Sequence, residues 1–364
     1  MKNNERIDLL FEILRAVIGL LLAYGVAFLF ISLIAEDPAE AAITFMTGPF
    51  SNKLRFGQMM AKFIVYILMG CGMCFIYAGG RFSLMGEGTF IFSACVATCF
   101  LQIAKPGLAS IPKIIMITIL LVIGGAAGGV INLIPAISRE KLKVNELVIS
   151  IMMNYVLLFG CTFVLKVYLK DRALSYLASE AFPENCKFSR IIQGTQFHTG
   201  IIVAAIAVIV SVIIYYKSCL GAEIRISGSA PEFARYSGIN MVNTLMLTQV
   251  IGGVFFGIGG IVDCFATYDR YQYGALTNYG FDGLMVAVLA RKKPLFIPAG
   301  AFLLAYIRTS AAVLNVTSNL PIEFVYIMQA IVIMFVAAEE FLGTYKNKVI
   351  FKYSMKEAGR EGGQ

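Results

Sequence analysis

The chain has 364 residues, of which 59% are hydrophobic and only 14% are charged, and its mean hydropathy is +0.79. Soluble globular domains carry about 25% charged residues, so this composition excludes an ordinary soluble protein and predicts a polytopic membrane protein. The net charge of +8 does not indicate nucleic-acid binding, because basic loops on the cytoplasmic side of a membrane account for it.

About ten apolar segments follow one another along the chain. The first, residues 16–35, carries no charge and is long enough to cross ~30 Å of hydrocarbon. It is too long for a cleaved signal core and lacks a small-residue cleavage site, so we expect a retained span. The other segments lie near residues 60–80, 89–104, 113–137, 147–165, 199–216, 244–266, 279–290, 295–311 and 322–342. The sequence thus predicts an all-α fold with a transmembrane domain over residues 16–342.

Lys and Arg concentrate in the first 15 residues, in alternate loops and in the polar tail 343–364. Because cytoplasmic loops are enriched in these residues, both the segment 1–15 and the tail are predicted to be cytoplasmic. The loop at 166–198 is the exception, with Lys166, Lys170, Arg172, Lys187 and Arg190. It is either an ordered outer cap that receives a partner or a solvated loop.

Two apolar segments are too short to span and follow glycine-rich breaks. The first break is Gly79–Gly88 and the second is Asn278–Gly283. Each ends in a carboxylate and a glycine, and the two helices run in opposite directions in the predicted topology. Paired interrupted helices of this kind are typical of inverted repeats with a binding site near the midplane. The alternative is that Glu87 and Asp282 cap helix starts, where a negative charge is favoured.

Other polar residues lie within or beside the apolar segments. Ser150 and Asn154 are four residues apart and share a helix face, and the amide needs a partner, either a neighbouring helix or a hydroxyl-rich substrate. Arg81 is expected to pair with a carboxylate or to face water. Asp263 and Glu323 are expected to be solvated charges at helix ends.

Glycines at four-residue spacing predict close helix packing; they are Gly124 with Gly128, Gly125 with Gly129, and Gly253 with Gly257. Cys71 and Cys74 are interpreted as small buried apolar residues, and the single histidine excludes a multi-histidine metal site.

Residues 218–243 form a polar interlude between two apolar segments. Ser229 is the predicted helix cap, Glu232 completes a capping box, Pro231 suits the first turn and Gly238 ends the helix in a left-handed conformation. A helix this short is not stable alone, so we expect it to dock on another protein. The residues expected to form this docking surface are Ser229, Glu232, Arg235, Tyr236 and Gly238.

No phosphate-binding loop, nucleophile elbow, paired-cysteine metal cluster or haem motif occurs in the sequence. We therefore expect a non-catalytic chain that binds no metal or cofactor.

Three stretches together resemble permease subunits of bacterial ABC importers, in the branch for nucleosides and simple sugars. They are residues 225–240, 145–155 and 280–290, and the similarity extends over roughly residues 60–342. The resemblance implies a dimeric permease of the bacterial plasma membrane that works by alternating access. It also implies an ATPase subunit that binds ATP and Mg, an extracytoplasmic binding protein, a second permease that is either this chain or another, and surrounding lipid.

The residues that the resemblance and the polar pattern place on the substrate pathway are Ser83, Glu87, Asn154, Phe281 and Asp282. The carboxylates and the amide are expected to hold hydroxyl groups, and Phe281 to stack on a base or sugar face.

The first break departs from the family, which has an Asn-Ile-Gly-Ala-Glu-Gly-Gln type of sequence there. Only Glu87 and Gly88 persist in Ser83–Thr89, so a simple-sugar or riboflavin-type solute is an alternative to a nucleoside. A stand-alone secondary transporter that uses Glu87 or Asp282 as a proton or sodium site is a further alternative.

Overall fold

The computed structural model describes residues 38–104 and 111–317, together with Ala330. These residues fall into two units, Phe50–Tyr306 and a smaller one that includes residues 38–49 and 307–317. Within the described ranges the regular structure is helical apart from two isolated bridges, Lys170–Ser179 and Arg190–His198. The predicted all-α class is therefore confirmed for the part of the chain that is described.

The described helices comprise long apolar elements and several shorter ones. In chain order they are α1 (Pro38–Thr47), α2 (Lys53–Ala78), α3 (Gly86–Ala104), α4 (Lys113–Ile131), α5 (Leu133–Leu142), α6 (Glu146–Val164), α7 (Gly200–Lys217), α8 (Cys219–Ser229), α9 (Pro231–Tyr236), α10 (Met241–Thr267), α11 (Tyr279–Leu289) and α12 (Ile297–Thr317). Helix α6 continues as a π-helical turn over Leu165–Leu169.

Among the described residues, seven helical stretches are long and apolar enough to cross a membrane. They are Lys53–Ala78, Gly86–Ala104, Lys113–Leu142, Glu146–Leu169, Gly200–Lys217, Met241–Thr267 and Pro294–Thr317. Helix α11 is apolar but shorter. The span predicted at 16–35 lies outside the described residues, and so does that at 322–342 apart from Ala330; Glu323 is also outside.

Helices α2 and α10 form the centre of the larger unit. Helix α10 packs against α2, α3 and α4, and α2 also packs against α11. Large side chains of these central helices, such as Tyr66, Phe75 and Phe256, are fully buried. Helices α4, α6 and α7 instead expose large apolar side chains. Such an apolar exterior is unfavourable in water and suits contact with lipid.

Helices α4 and α10 meet through glycines. A Cβ atom at Gly128 would lie 2.2 Å from the carbonyl oxygen of Gly253, and one at Gly257 would lie 2.1 Å from the carbonyl oxygen of Gly124. No side chain fits at such distances, so the two backbones are in direct contact. The prediction that these glycines form packing faces is confirmed.

The loop at 166–198 is held by the end of α10 and by the segment that follows it. Backbone N–H groups of Ser179, Phe182 and Phe188 donate to the carbonyl groups of Tyr271, Asp269 and Phe265 at 3.0, 2.9 and 3.2 Å. We call residues 170–198 the outer cap, after its predicted location. These hydrogen bonds show that the loop is ordered; its outer location and its binding of a partner stay predictions.

Two ion pairs reinforce the outer cap. Arg270 lies 2.7 Å from Asp171, and Lys187 lies 2.8 Å from Asp269. The hydrogen bond from Lys187 lowers the pKa of Asp269, and the same contact raises the pKa of the lysine.

Asp263 corrects the expectation of a solvated end charge. Its side chain is 2% exposed, and its carboxylate accepts hydrogen bonds from the Tyr273 hydroxyl at 2.5 Å and from Thr267 at 3.4 Å. The expectation was wrong because Tyr273, from the segment that follows α10, contacts this carboxylate and shields it.

The imidazole of His198 is fully buried at the end of the outer cap. Its Nδ1 accepts a hydrogen bond from the N–H group of Gly200 at 3.2 Å, and its ring lies near Phe188. Burial lowers the pKa of His198 to about 4, because desolvation penalises the charged form.

The α4–α10 contact predicts that Gly128→Ala destabilises the protein by about 1–3 kcal/mol, since the new methyl group overlaps a carbonyl oxygen. Gly160→Ala is the matched control, because a Cβ atom there meets no atom within 4 Å. Thermal unfolding of the purified protein in detergent measures both. Equal midpoints for the two variants would contradict the contact.

The burial of His198 predicts a loss of stability in acid. The unfolded chain takes up the proton near pH 6.5 and the folded chain only near pH 4. The contribution of His198 to the free energy of unfolding is therefore fully present above pH 6.5. It falls by on the order of 3 kcal/mol as the pH drops to about 4. His198→Asn keeps an acceptor for Gly200 and cannot titrate. Denaturation curves at pH 7 and pH 4.5 should show a smaller acid loss in the variant, and an identical loss would refute the assignment.

Candidate functional site

The first interruption lies between α2 and α3. Helix α2 ends at Ala78, Gly80 has φ +72°, and α3 begins at Gly86. This start is three residues earlier than the apolar run at Thr89 suggested. Glu87 is therefore in the first turn of α3, where a negative charge is favourable.

The second interruption lies between α10 and α11, over residues 268–278. Asn278 precedes α11 with φ +63°, and its side chain makes no capping hydrogen bond. The first N–H groups of a helix have no partner within that helix, so the start of α11 needs an acceptor from elsewhere.

Glu87 supplies that acceptor. Its Oε1 atom accepts from the N–H group of Asn278 at 2.5 Å and from the hydroxyl of Thr277 at 3.0 Å, and its Oε2 atom accepts from the N–H group of Gly280 at 3.2 Å. The side chain is only 1% exposed. Glu87 is thus a helix cap, as one of the two readings held, but it caps the start of the other interrupted helix.

The physical basis is the charge at helix ends. A helix amino terminus carries a partial positive charge, and a buried carboxylate must be satisfied by hydrogen bonds. Here one carboxylate lies at the starts of both α3 and α11. A Cβ atom at Gly280 would lie 2.8 Å from the backbone nitrogen of Glu87, so glycine is required for the two starts to approach so closely.

Ser150 and Asn154 hold the backbone of the first interruption. Asn154 accepts from the N–H group of Gly88 and donates to the carbonyl group of Leu84, both at 2.8 Å. The Leu84 N–H group donates to the Ser150 hydroxyl at 3.0 Å. The prediction that the two share a helix face is confirmed, and the partner of the amide is the neighbouring interrupted segment.

The remaining candidate pathway residues also lie at the interruptions. Asp282 accepts a hydrogen bond from the Tyr66 hydroxyl at 2.7 Å, which ties α11 to α2. Ser83 is buried, and its hydroxyl has no hydrogen-bond partner within the described residues. The ring of Phe281 is 42% exposed. Ser83 thus lies in the first interruption, and Asn154 contacts it from α6. Glu87 lies in the first turn of α3, while Phe281 and Asp282 lie in the first turn of α11.

Arg81 pairs with carboxylates, as one of its two readings predicted. Its guanidinium lies 2.6 Å from Glu140 and 3.2 Å from Glu146, and Arg139 also contacts Glu146 at 3.1 Å. The guanidinium and the Glu146 carboxylate are almost completely buried.

The sequence interpretation missed the extension of this cluster into the bundle. Gln249 donates to Glu146 at 2.6 Å, and Asn132 donates to Gln249 at 3.0 Å. We call the connected side chains the Arg81 network; they are Arg81, Asn132, Arg139, Glu140, Glu146 and Gln249. The available signal was the amide of Gln249 inside an apolar span, since such a group needs a partner.

The polar interlude at residues 218–243, which we call the coupling segment, contains two helices rather than one. Ser229 is the last residue of α8, and its hydroxyl donates to the carbonyl group of Arg225 at 2.8 Å. The predicted Ser229 cap and capping box are therefore wrong. Ser218 caps the start of α8, and the hydroxyl of Ser229 is used within the last turn of that helix. Pro231 then opens α9, as predicted.

Helix α9 presents an exposed surface of mixed polarity, which includes the 60% exposed Phe233. Glu232, Arg235 and Tyr236 are exposed, and Tyr236 is 90% exposed. Gly238 follows with φ +76°, so the predicted left-handed end of the helix is confirmed.

Helix α8 contacts the first interruption directly. A Cβ atom at Gly228 would lie 1.9 Å from the carbonyl oxygen of Ala78, and one at Gly80 would lie 3.3 Å from the Cα atom of Gly228. The coupling segment and the interruption thus meet backbone to backbone.

Comparison with known proteins agrees with this architecture. The profile of a family described as branched-chain amino acid transport system, permease component, matches residues 56–337. The chain belongs to this ABC permease family. The chain is thus a multi-pass, non-catalytic membrane subunit, and ATP hydrolysis in such systems occurs on a separate subunit.

Three relatives of the permease are informative. It is 28% identical over 333 residues to the guanosine ABC transporter permease protein NupP of Bacillus subtilis, covering 91% of this chain and 93% of the relative. It is 30% identical over 239 residues to the nucleoside permease NupB of Lactococcus lactis, covering 63% of this chain and 65% of the relative. It is 24% identical over 332 residues to the glucose permease TsgB13 of Haloferax volcanii, covering 86% of this chain and 84% of the relative. No solved structure shows a significant match.

The contacts of Asn154 predict a structural cost for its loss. Asn154→Leu in the permease leaves the buried Gly88 N–H group without its acceptor, which costs about 1–3 kcal/mol. Thr162→Val is the control on the same helix, because that hydroxyl bonds only to its own helix, at Leu158. The unfolding midpoint in detergent checks both variants. A midpoint for Asn154→Leu at the wild-type value would show that Asn154 does not hold the interruption.

Proposed function

We propose that this permease imports a nucleoside or a related small hydroxylated solute in an ATP-driven transporter. The observation that carries the proposal is its similarity to a guanosine permease over 93% of that protein's length. The similarity to a second nucleoside permease supports the same solute class.

The proposed topology has about ten spans with both termini in the cytoplasm. In it, α3 and α11 are the oppositely directed interrupted helices of two inverted repeats. The meeting of their starts at Glu87 supports this arrangement. Irregular backbone at such depth has to be buried in protein or line a cavity, and the interruptions satisfy their polar groups through Glu87, Ser150 and Asn154.

The substrate pathway is proposed to run past the two interruptions. The exposed ring of Phe281 suits stacking on a nucleobase. The polar atoms of Glu87, Asn154 and Asp282 bond to protein groups and shape the wall of the pathway. The Ser83 hydroxyl then becomes available to a solute hydroxyl when the interruption moves.

An ATPase subunit, which carries ATP and Mg, is proposed to dock on the surface formed by Ser229, Glu232, Arg235, Tyr236 and Gly238. Its closure pushes α8, and the Gly228 contact passes the movement to the first interruption. An extracytoplasmic binding protein delivers the solute to the outer cap, and a second permease subunit completes the pathway within the lipid bilayer of the bacterial plasma membrane.

The alternatives differ in solute or in energy source. A simple sugar or a riboflavin-type molecule remains the second candidate, favoured by the similarity to a glucose permease. An ion-coupled transporter needs a carboxylate that binds a cation. Glu87 is instead occupied by three donors, and the exposed surface of α9 favours an ATPase partner.

Uptake into reconstituted vesicles tests the energy source. With the ATPase and the binding protein present, radiolabelled nucleoside should accumulate, and ATP depletion but not an uncoupler should abolish the accumulation. Accumulation by the permease alone on an ion gradient would overturn the proposal. A thermal-shift screen of the binding protein against nucleosides, sugars and riboflavin separates the solute classes.

The docking surface yields a prediction for Arg235→Glu. Reversing this exposed charge should lower uptake by about tenfold or more, the effect of ~1.4 kcal/mol at an interface, while the protein remains folded. Lys141→Glu is the control, because Lys141 is also exposed on the proposed cytoplasmic side. Uptake and ATP hydrolysis are measured in the same vesicles. Wild-type uptake by Arg235→Glu would exclude docking at this residue.

A further inference from the structure

The start of α11 depends on a residue from another helix. Thr277, Asn278 and Gly280 all donate hydrogen bonds to Glu87, and the side chain of Asn278 provides no local cap. Glu87 has no ion-pair partner within 4 Å among the described residues. The carboxylate of Glu87 is therefore stabilised by these hydrogen bonds and by the two helix ends.

The contact between the two helix starts leaves no space for sliding. Gly280 lies against the backbone of Glu87 so closely that a methyl group would not fit. The next residue, Gly88, donates its N–H group to the side chain of Asn154 in α6. Separating α3 from α11 would strip a buried carboxylate of its donors, which is unfavourable in an apolar interior.

We propose that Glu87 is a positioning residue that keeps the starts of α3 and α11 together throughout the transport cycle. The two interruptions then move as one unit. Glu87 acts on the solute only through the position of α11. The part of this inference that concerns uptake rests on the proposed function; the part that concerns the contact does not.

A double-mutant cycle tests the contact without any solute. Glu87→Met keeps the length of the side chain and removes its acceptors, and Thr277→Val removes one donor. The unfolding midpoint is measured for both single variants and the double variant, each purified with the ATPase subunit. The double variant should lose clearly less than the sum of the two single losses, because residues in one hydrogen-bond network do not act independently.

The control cycle combines Glu87→Met with Thr98→Val. Thr98 is a buried residue of α3 whose hydroxyl bonds to its own helix at Ala94, so these losses should add. Additive losses for Glu87 and Thr277 would overturn the inference. If Glu87→Met does not give a folded complex, the loss caused by Thr277→Val alone is compared with that caused by Thr98→Val. A loss for Thr277→Val no larger than that of the control would likewise overturn the inference.

Uptake by Thr277→Val separates positioning from solute binding. The positioning role predicts a maximal rate lower by about fivefold, the equivalent of one ordinary hydrogen bond, with an unchanged half-saturating nucleoside concentration. A raised half-saturating concentration at an unchanged maximal rate would assign the pair to solute binding and overturn the inference. If the wild-type complex shows no ATP-driven uptake, the proposed function fails, and the double-mutant cycle still decides the contact.

Discussion

A single buried carboxylate satisfies the backbone at the start of α11 in this permease. An apolar interior penalises every unpaired N–H and C=O group, and an interrupted helix exposes several of them. Glu87 covers the start of α11, while Ser150 and Asn154 cover the segment that leads into α3. The interruptions are therefore stable only in the presence of each other and of α6, which makes the site a property of the assembled bundle.

Two other features of the larger unit stabilise this arrangement. Helices α2 and α10 provide a rigid centre, where glycine contacts bring α4 against α10. The Arg81 network then anchors the first interruption to α5, α6 and α10 with balanced charges. Breaking one partner of such a network leaves an uncompensated buried charge, which is strongly unfavourable. The network and the glycine contacts together restrict where the interruption is able to move.

Local patterns predicted the parts of this structure that depend on neighbouring residues in sequence. Apolar runs located the long described helices and α11 but not the short helices α1, α5 and α8. Four-residue spacing identified the glycine faces and the shared face of Ser150 and Asn154. The same reasoning failed where a segment distant in sequence determines the burial or the partner of a side chain. Asp263 is buried because Tyr273 covers it, and Gln249 bonds to Glu146 although 103 positions separate them. At Ser229 the hydroxyl bonds back to the carbonyl group of Arg225 rather than forward into α9, a choice that the sequence pattern does not distinguish.

The contact between Gly228 and the chain at Ala78 and Gly80 has a consequence for stiffness. Side chains that touch each other yield to pressure by changing rotamers, and part of an applied displacement is lost in torsions. Here main chain presses on main chain with no rotatable bond between them. We therefore expect a small shift of α8 at Gly228 to displace the chain at Ala78 and Gly80 directly, because no side chain separates the two backbones.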